Sequence, residues 1–235
     1  SDDYMAKSAL NNVANIIKAN HDLDMITCAH INEYYDGNQI IVLLPFGSSA
    51  ISIDRNEFLY KLYKSNGAYW APWKNIFRRS IIEKNNLRFP IHLICAEDCV
   101  FFMHFVRYGE KFSFLNIPLI HYRVDREGSI TNIISKAAIM GQLIAFRDNY
   151  NMFNSNNSYI NQDMKVFFAN KFANTISLLC HLTNTTDIDE ITNFIKEHES
   201  ILKDAKGVKY DIAKLIWLLF GYFKGSKILR NINLK

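Results

Sequence analysis

Two different residue patterns divide the sequence at about residue 131, and this division limits the folds that the chain can adopt. Before that point, β-rich runs alternate with helical patterns and short turn signals. After it come long helical patterns with almost no glycine or proline between them, at about residues 135–150, 160–183, 188–203 and 208–224. The sequence therefore predicts an α/β part over residues 1–131 and an all-helical C-terminal region over residues 132–235.

The α/β part begins with a predicted helix and a predicted hairpin. Apolar residues between Met5 and Asn20 recur at helical spacing, which indicates an amphipathic helix with one buried stripe. Two β-rich runs follow, Met25 to Glu33 and Gln39 to Leu44, and the turn signal Asp36-Gly37-Asn38 separates them. We expect these two runs to pair as an antiparallel hairpin.

Further elements are predicted downstream of the hairpin. Asp54 and Glu57 have the spacing of a capping box, and Pro72 suits the first turn of a helix that runs to about Asn85. A third helix begins at the acidic pair Glu97-Asp98 and ends at Gly109. The run from Lys111 to Val124 then predicts a strand.

Composition and charge exclude several classes of protein. Lys and Arg number 27 against 23 Asp and Glu, and the basic residues are scattered, so we expect no nucleic-acid partner. The four cysteines form neither a CxxC pair nor the dense spacing of a secreted disulfide scaffold. We therefore expect a cytoplasmic protein.

Two acidic pairs stand at predicted helix starts, and each has a structural and a functional interpretation. Asp2 and Asp3 can cap a helix, or they can hold a hard divalent ion such as Mg²⁺ or Mn²⁺. Glu97 and Asp98 can complement a helix dipole, or one of these carboxylates can act as a general base at the rim of a pocket. Neither pair by itself decides between the two interpretations.

A histidine and an arginine share one face of the predicted strand near residue 120. His121 and Arg123 are two positions apart, so their side chains point to the same side, and Tyr122 points to the other. They can be ordinary structural residues, with Arg123 paired to a surface acid. Together with the following Gly128-Ser129 turn, they can also form a binding site for a metal-bound pyrophosphate, with histidine as ligand and arginine neutralising phosphate charge.

The aromatic segment from Tyr69 to Asn75 likewise has two interpretations. Trp70 and Trp73 can fill the core, because a tryptophan side chain buries a large area. Alternatively, they offer a platform on which a sugar ring stacks, with Lys74 or Asn75 hydrogen-bonded to its hydroxyl groups.

The end of the chain combines apolar aromatic residues with positive charge. The run Leu215 to Phe223 is followed by the basic residues Lys224, Lys227, Arg230 and Lys235. A terminal helix packed on the core explains this pattern, and so does a peripheral membrane anchor formed by residues 208–235. The second interpretation places the protein on the inner face of the plasma membrane.

Five short motifs, taken in order, are more informative than any one of them. They are Ser1 to Tyr4, Ala71 to Arg79, Leu87 to Pro90, Ala96 to Asp98, and Ile117 to Arg123 with Gly128 to Thr131. In this order they resemble the catalytic half of family 2 glycosyltransferases with the GT-A fold, over about residues 1–131. The resemblance implies a GT-A-like, Rossmann-like mixed sheet that lacks its N-terminal nucleotide-binding strands. The chain is then either a fragment of a full enzyme or a truncated product that does not act alone.

The resemblance also implies where a metal ion and a base lie. The family's Asp-x-Asp motif holds a divalent ion, Mn²⁺ or Mg²⁺, and here only its second half is present, as Asp2 followed by Asp3. The acidic pair at a helix start supplies the catalytic base of the family, which matches Asp98 with Glu97 beside it.

Substrate-binding residues follow from the same resemblance. His121 matches the additional metal or phosphate ligand, and Arg123 and Ser129 match residues close to the diphosphate. Trp73, with Lys74 and Asn75 after it, matches the border of the sugar and acceptor pocket.

The implied activity is an inverting, metal-dependent transfer of a sugar from a nucleotide-sugar donor, such as a UDP-sugar, to a hydroxyl group. The acceptor would be a glycan or a lipid-linked oligosaccharide in the synthesis of a surface polysaccharide. An alternative function is non-catalytic, in which the helical region is an interaction or membrane-docking module on an incomplete transferase scaffold.

Overall fold

A computed structural model describes residues 3–46, 49–124, 134–154 and 158–232 of the chain. The chain divides into two compact units. The first consists of residues 1–89 and 101–132, and the second of residues 90–100 and 133–235. The predicted domain boundary after residue 131 stays a prediction, because compactness alone does not show which segments fold independently.

A mixed sheet forms the centre of the first unit. Its strands within the described residues are β1 (Tyr4–Met5), β2 (Met25–Glu33), β3 (Gln39–Val42), β4 (Ser49–Asp54), β5 (Asn75–Phe77) and β6 (Lys111–Arg123). The two longest strands, β2 and β6, lie side by side and run parallel. The remaining strands are antiparallel to them: β1 and β4 pair with β6, and β3 and β5 pair with β2.

The predicted hairpin of β2 and β3 is confirmed. The turn between the strands places Gly37 at a φ of +83°, in the left-handed region that glycine adopts without a steric penalty. The Asp36 carboxylate accepts hydrogen bonds from the backbone N–H and the side-chain amide of Asn38. These local bonds explain why the turn could be predicted from three residues.

Two of the predicted helices in the first unit are confirmed. Helix α1 (Ala9–Ala19) buries Ala9 and Val13, but its apolar stripe is narrower than predicted because Leu10 is 60% exposed. Helix α2 (Arg55–Lys64) begins with Asp54 as its cap, whose side chain accepts a hydrogen bond from the Glu57 N–H at 2.9 Å.

The predicted helix from Pro72 to Asn85 is wrong. A short 3₁₀ helix, Pro72–Lys74, leads into strand β5, and only then does a helix form, α3 (Arg79–Lys84). Strand pairing explains the difference, since Asn75 lies opposite Thr27 of β2. The pairing with β2 outweighs the local helical preference of this segment.

A cluster of aromatic rings fills the core between α2 and the sheet. Phe58 of α2 stacks on Phe112 of β6 at 4.5 Å and on Phe114 at 5.6 Å, measured between ring centroids. Tyr69 packs on Phe114 at 4.9 Å, and all four side chains are almost completely buried. Such rings bury large apolar areas and hold α2 and β6 together.

The second unit is helical, as predicted. The first residues of helix α4 (Glu97–Tyr108) belong to this unit. The helix ends at Gly109, as predicted. The helices that follow are α5 (Lys136–Met152), α6 (Tyr159–Ile176), α7 (Thr185–Glu197), α8 (Val208–Phe220) and α9 (Tyr222–Ile232). The predicted single helix over 208–224 is divided at Gly221, whose φ is +74°. None of the helices in the described ranges has the length and hydropathy that crossing a bilayer requires.

Polar and steric contacts fix the packing of this unit. The buried Ser226 hydroxyl of α9 accepts a hydrogen bond from the Trp217 indole N–H and donates one to the Ile176 carbonyl. At Gly141 of α5, an added Cβ would lie 2.8 Å from the Cys95 carbonyl oxygen. Gly141 therefore allows α5 and the segment before α4 to approach closely.

Candidate functional site

The predicted site residues lie in different parts of the described structure. Asp2 and Ser129 lie outside the described residues. Glu97 and Asp98 are counted with the second compact unit, and the remaining predicted residues belong to the first.

Four side chains come together on one face of the sheet near the end of β6. Strand register places His121 opposite Ile31 of β2 and opposite Tyr4 of β1, and it places Arg123 opposite Glu33. Paired residues in a sheet point to the same side, so Tyr4, Glu33, His121 and Arg123 share a face. We call these four residues the β6 cluster.

Ring stacking and ionic contacts hold the β6 cluster together. The Tyr4 ring stacks on the His121 ring at 4.4 Å with an interplanar angle of 9°. The Arg123 guanidinium lies 5.8 Å from the Tyr4 ring centroid. The Asp3 carboxylate accepts a hydrogen bond from the Arg123 backbone N–H at 3.0 Å, so Asp3 is placed beside the cluster.

Glu33 is the acidic member of the cluster, and no pattern in the sequence indicated it. Its Oε2 atom is 4.0 Å from His121 Nδ1 and 4.0 Å from Arg123 Nε. Its carboxylate also raises the pKa of Tyr4, chiefly by accepting a hydrogen bond from the phenol. Aligning the C-terminal ends of the two predicted strands in parallel would have placed Glu33 beside Arg123.

The donor atoms near the cluster are of the kind that Mn²⁺ and Mg²⁺ bind. Asp3 and Glu33 offer carboxylate oxygens, and His121 offers an imidazole nitrogen. Glu33 Oε2 and His121 Nδ1 are buried atoms without a hydrogen-bond partner among the described residues. Within the described residues, no group of three or more metal-ligating side chains is close enough to hold an ion. A metal site therefore needs a ligand from elsewhere, and metal binding stays a prediction.

Trp73 lies on the opposite face of the sheet from the β6 cluster. Its ring stacks on that of Tyr122 at 4.7 Å with an interplanar angle of 5°, and the edge of His30 meets it at 4.9 Å. Tyr122 alternates with His121 along β6, so the two contact different sides of the sheet. The sequence predicted both Trp73 and His121 as site residues, and the structure separates them.

Lys74 and Asn75, which follow Trp73, are both buried. Burial lowers the pKa of Lys74 to about 8, and its ammonium group lies 5.5 Å from the Trp73 ring centroid. Burial, followed by the Lys74 charge, lowers the pKa of His30 to about 4. The Asn75 amide donates to the carbonyls of Tyr69 and Ala71, so these bonds hold the preceding loop.

Asp98, the predicted base, stays a prediction, and its carboxylate is partly buried. It lies in the first turn of α4, where its carboxylate accepts a hydrogen bond from the Cys99 N–H at 2.7 Å. Burial raises the pKa of Asp98, and the neighbouring charge of Glu97 adds to the effect. A carboxylate with a raised pKa accepts a proton more readily once it is ionised.

Comparisons with known proteins are informative only at the level of structure. No family model matches the chain, and no curated protein matches it in sequence. Solved structures of S. aureus TarS, a glycosyltransferase, do match. The structure of TarS residues 1–349 with UDP has a TM-score of 0.62 at 14% identity, and the one with UDP-GlcNAc has 0.59 at 14%.

The chain spans about two thirds of that part of TarS. The alignment with TarS 1–349 covers 98% of this chain and 64% of the other. The longer TarS structure gives a TM-score of 0.56 at 15% identity, and 38% of it is covered. The chain therefore shares the fold of this part of TarS, a mixed α/β sheet followed by a helical C-terminal region.

Proposed function

We propose that the chain belongs to an inverting, metal-dependent glycosyltransferase of the family 2 type that uses a nucleotide-sugar donor. The β6 cluster is the observation that supports this most directly, since it places His121 and Arg123 side by side at the end of the longest strand. An arginine there neutralises phosphate charge, and the glycosyltransferase fold makes a nucleoside diphosphate the expected anion.

In this proposal, the chain's own residues perform separate parts of one displacement. Asp98 takes the proton from an acceptor hydroxyl, and that oxygen attacks the anomeric carbon as the bond to the nucleoside diphosphate breaks. A single displacement inverts the anomeric configuration. Arg123, with Ser129 after it, stabilises the negative charge that develops on the leaving group.

A bound Mn²⁺ or Mg²⁺ ion would supply Lewis-acid stabilisation of the diphosphate. Asp2, Asp3 and His121 are the residues proposed to hold it. Asp3 immediately precedes β1, whose Tyr4 pairs with His121 of β6, and this closeness favours a shared role.

The proposed substrates follow from the fold and the aromatic face. TarS is solved with UDP and with UDP-GlcNAc, so we propose a UDP-sugar as donor. The acceptor is a glycan or a lipid-linked oligosaccharide in surface-polysaccharide synthesis, and Trp73, Lys74 and Asn75 are proposed to border its pocket. We also propose that the protein works in the cytoplasm at the membrane surface, where a lipid-linked acceptor would lie.

Binding of UDP tests the donor site. Isothermal titration of the chain with UDP and Mn²⁺ is expected to show binding that Arg123→Gln weakens at least about tenfold, as loss of a charge-assisted contact of about 1.4 kcal/mol would. Arg79→Gln is the matched control, because Arg79 is exposed and pairs only with Glu83 of its own helix among the described residues. Equal UDP binding by both variants would refute the role of Arg123.

Sugar transfer tests the base. Asp98→Asn keeps the size of the side chain and removes its basicity, so transfer from a UDP-sugar should fall at least about a hundredfold with UDP binding retained. Asp189→Asn, an exposed substitution on α7, should leave transfer unchanged. Near-normal turnover of the Asp98 variant would contradict the assignment.

A second candidate function, docking on a membrane, is favoured by the outer face of α8. Leu215, Leu218 and Leu219 are 57%, 82% and 65% exposed, which is unusual for neighbouring leucines on one helix. Helices α8 and α9 contain one acidic residue, Asp211, against the basic residues Lys209, Lys214, Lys224, Lys227 and Arg230. An anionic bilayer complements both properties.

Vesicle flotation separates membrane docking from simple packing. The chain should float with vesicles that contain an anionic phospholipid, and the double substitution of Leu218 and Leu219 to glutamine should abolish flotation. Leu10→Gln is the control, since Leu10 is also an exposed leucine, at 60%, but lies on α1. Flotation that survives the double substitution would exclude this face.

A further inference from the structure

Glu33 lies between the two basic side chains of the β6 cluster and is shielded from solvent. Its side chain is 21% exposed, and the His121 side chain 14%. Its Oε2 atom is equidistant from His121 Nδ1 and Arg123 Nε, at 4.0 Å. Because partial burial weakens solvent screening, the carboxylate interacts with both groups more strongly than an exposed acid would.

Two facing atoms in this arrangement lack partners. Glu33 Oε2 and His121 Nδ1 are both buried, and neither forms a hydrogen bond with any part of the chain that the structure describes. A buried polar atom without a partner costs about 1–3 kcal/mol. An ordinary N–H···O hydrogen bond is about 2.9 Å long, so a shift of about 1 Å would let these two atoms bond to each other.

Tyr4 restricts how the His121 ring can turn. It stacks on the ring face at 4.4 Å with an interplanar angle of 9°. Tyr4 therefore covers one face of the imidazole, while Nδ1 on the ring edge lies 4.0 Å from Glu33 Oε2. The other ring nitrogen, Nε2, points in a different direction.

We propose that Glu33 is a positioning residue for His121. Its carboxylate accepts a hydrogen bond from Nδ1–H of the neutral imidazole, which leaves the Nε2 lone pair to bind a divalent ion. A carboxylate that orients a metal-binding histidine in this way also makes the imidazole a better donor. Only the binding of a divalent ion at Nε2 rests on the proposed function; the orientation of His121 by Glu33 does not.

The tautomer of His121 tests the inference without any ligand. Long-range ¹H–¹⁵N NMR on the histidine-labelled chain, at a pH where the ring is neutral, should show His121 as the Nδ1–H form, with the signal assigned by its loss in His121→Gln. Glu33→Leu should shift the ring toward Nε2–H, the form that free histidine favours. Glu33→Gln, which keeps an accepting oxygen, should retain the Nδ1–H form.

A matched control separates this effect from general loss of charge. Glu57→Leu removes another carboxylate of the same unit, which pairs with Lys61 on α2, and should leave the His121 tautomer unchanged. An Nε2–H form in the unmodified chain would overturn the inference, and so would an unchanged tautomer in folded Glu33→Leu. If Glu33→Leu fails to fold, the His121 tautomer of the unmodified chain by itself tests the inference.

Ion affinity provides the second measurement. Titration with Mn²⁺ should show affinity 10–100-fold lower for Glu33→Leu than for the unmodified chain, the usual loss when a partner of a metal-binding histidine is removed. Equal Mn²⁺ affinities would overturn the role of Glu33 toward the ion. If the unmodified chain binds no Mn²⁺, the proposed metal dependence fails, and the tautomer still decides whether Glu33 positions His121.

Discussion

Replacing Asn75 by alanine should destabilise the first unit, because its side chain is buried and fully engaged. Its carbonyl oxygen accepts a hydrogen bond from the Thr27 hydroxyl at 2.6 Å, and its amide donates to the Tyr69 and Ala71 carbonyls at 2.8 Å each. Thr27 is completely buried, so water cannot replace the lost partner. At a net value of about 1 kcal/mol per bond, Asn75→Ala should lower the free energy of unfolding by about 3 kcal/mol.

Tryptophan fluorescence can follow this unit alone. In a Trp217→Phe background, the remaining tryptophans, Trp70 and Trp73, both lie in the first unit. With a urea m-value of about 2 kcal/mol/M, a loss of about 3 kcal/mol lowers the unfolding midpoint by about 1.5 M. Asn85→Ala is the matched control, because the Asn85 side chain donates a single bond, to Ile81 of its own helix, among the described residues.

Two outcomes of this experiment distinguish a structural role of Asn75 from a role in sugar binding. A loss below about 0.5 kcal/mol would refute the structural role, since it would mean that the buried bonds contribute almost nothing. Unchanged stability together with weaker sugar transfer would instead favour the predicted contact between Asn75 and the sugar.

Three further predictions concern packing, burial and capping. Gly141→Ala should destabilise the second unit by about 1–3 kcal/mol in urea unfolding, because the new Cβ meets the Cys95 carbonyl at 2.8 Å; a neutral result would mean that α5 moves freely. Lys74 has a pKa lowered to about 8 in the folded chain, so the unfolded chain binds more protons above that pH, and stability should rise between about pH 8 and 10. Lys74→Met should have a higher free energy of unfolding than the unmodified chain, and this difference should shrink between about pH 8 and 10. A difference that does not change with pH would contradict the burial argument. Asp54→Ala should cost about 1 kcal/mol by removing the α2 cap, and Asp36→Ala provides an exposed comparison.

The success of the sequence predictions depended on how local each signal was. The Asp54 cap, the turn at Gly37 and the helix that begins at Glu97 were all confirmed, since each depends on residues a few positions apart. The helix predicted after Pro72 failed because Asn75 bonds to Thr27, which is distant in sequence.

The candidate site shows the same limit more clearly. Strand alternation in the sequence correctly placed His121 and Arg123 on one face and Tyr122 on the other. It contained no information about which strand lies beside β6, so Glu33 was missed. It also did not show that Trp73 packs on Tyr122, on the face opposite His121.

The sequence by itself determined the β2–β3 hairpin, the helices α1, α2 and α4, and the change from a mixed sheet to helices, because hydrophobic period and turn chemistry depend on neighbouring residues. Only the tertiary structure decided which side chains meet. Parallel pairing of β2 with β6 brings Glu33 to His121 and Arg123, and pairing of β1 adds Tyr4 to them. These contacts depend on strand register, which is set by packing over the whole sheet.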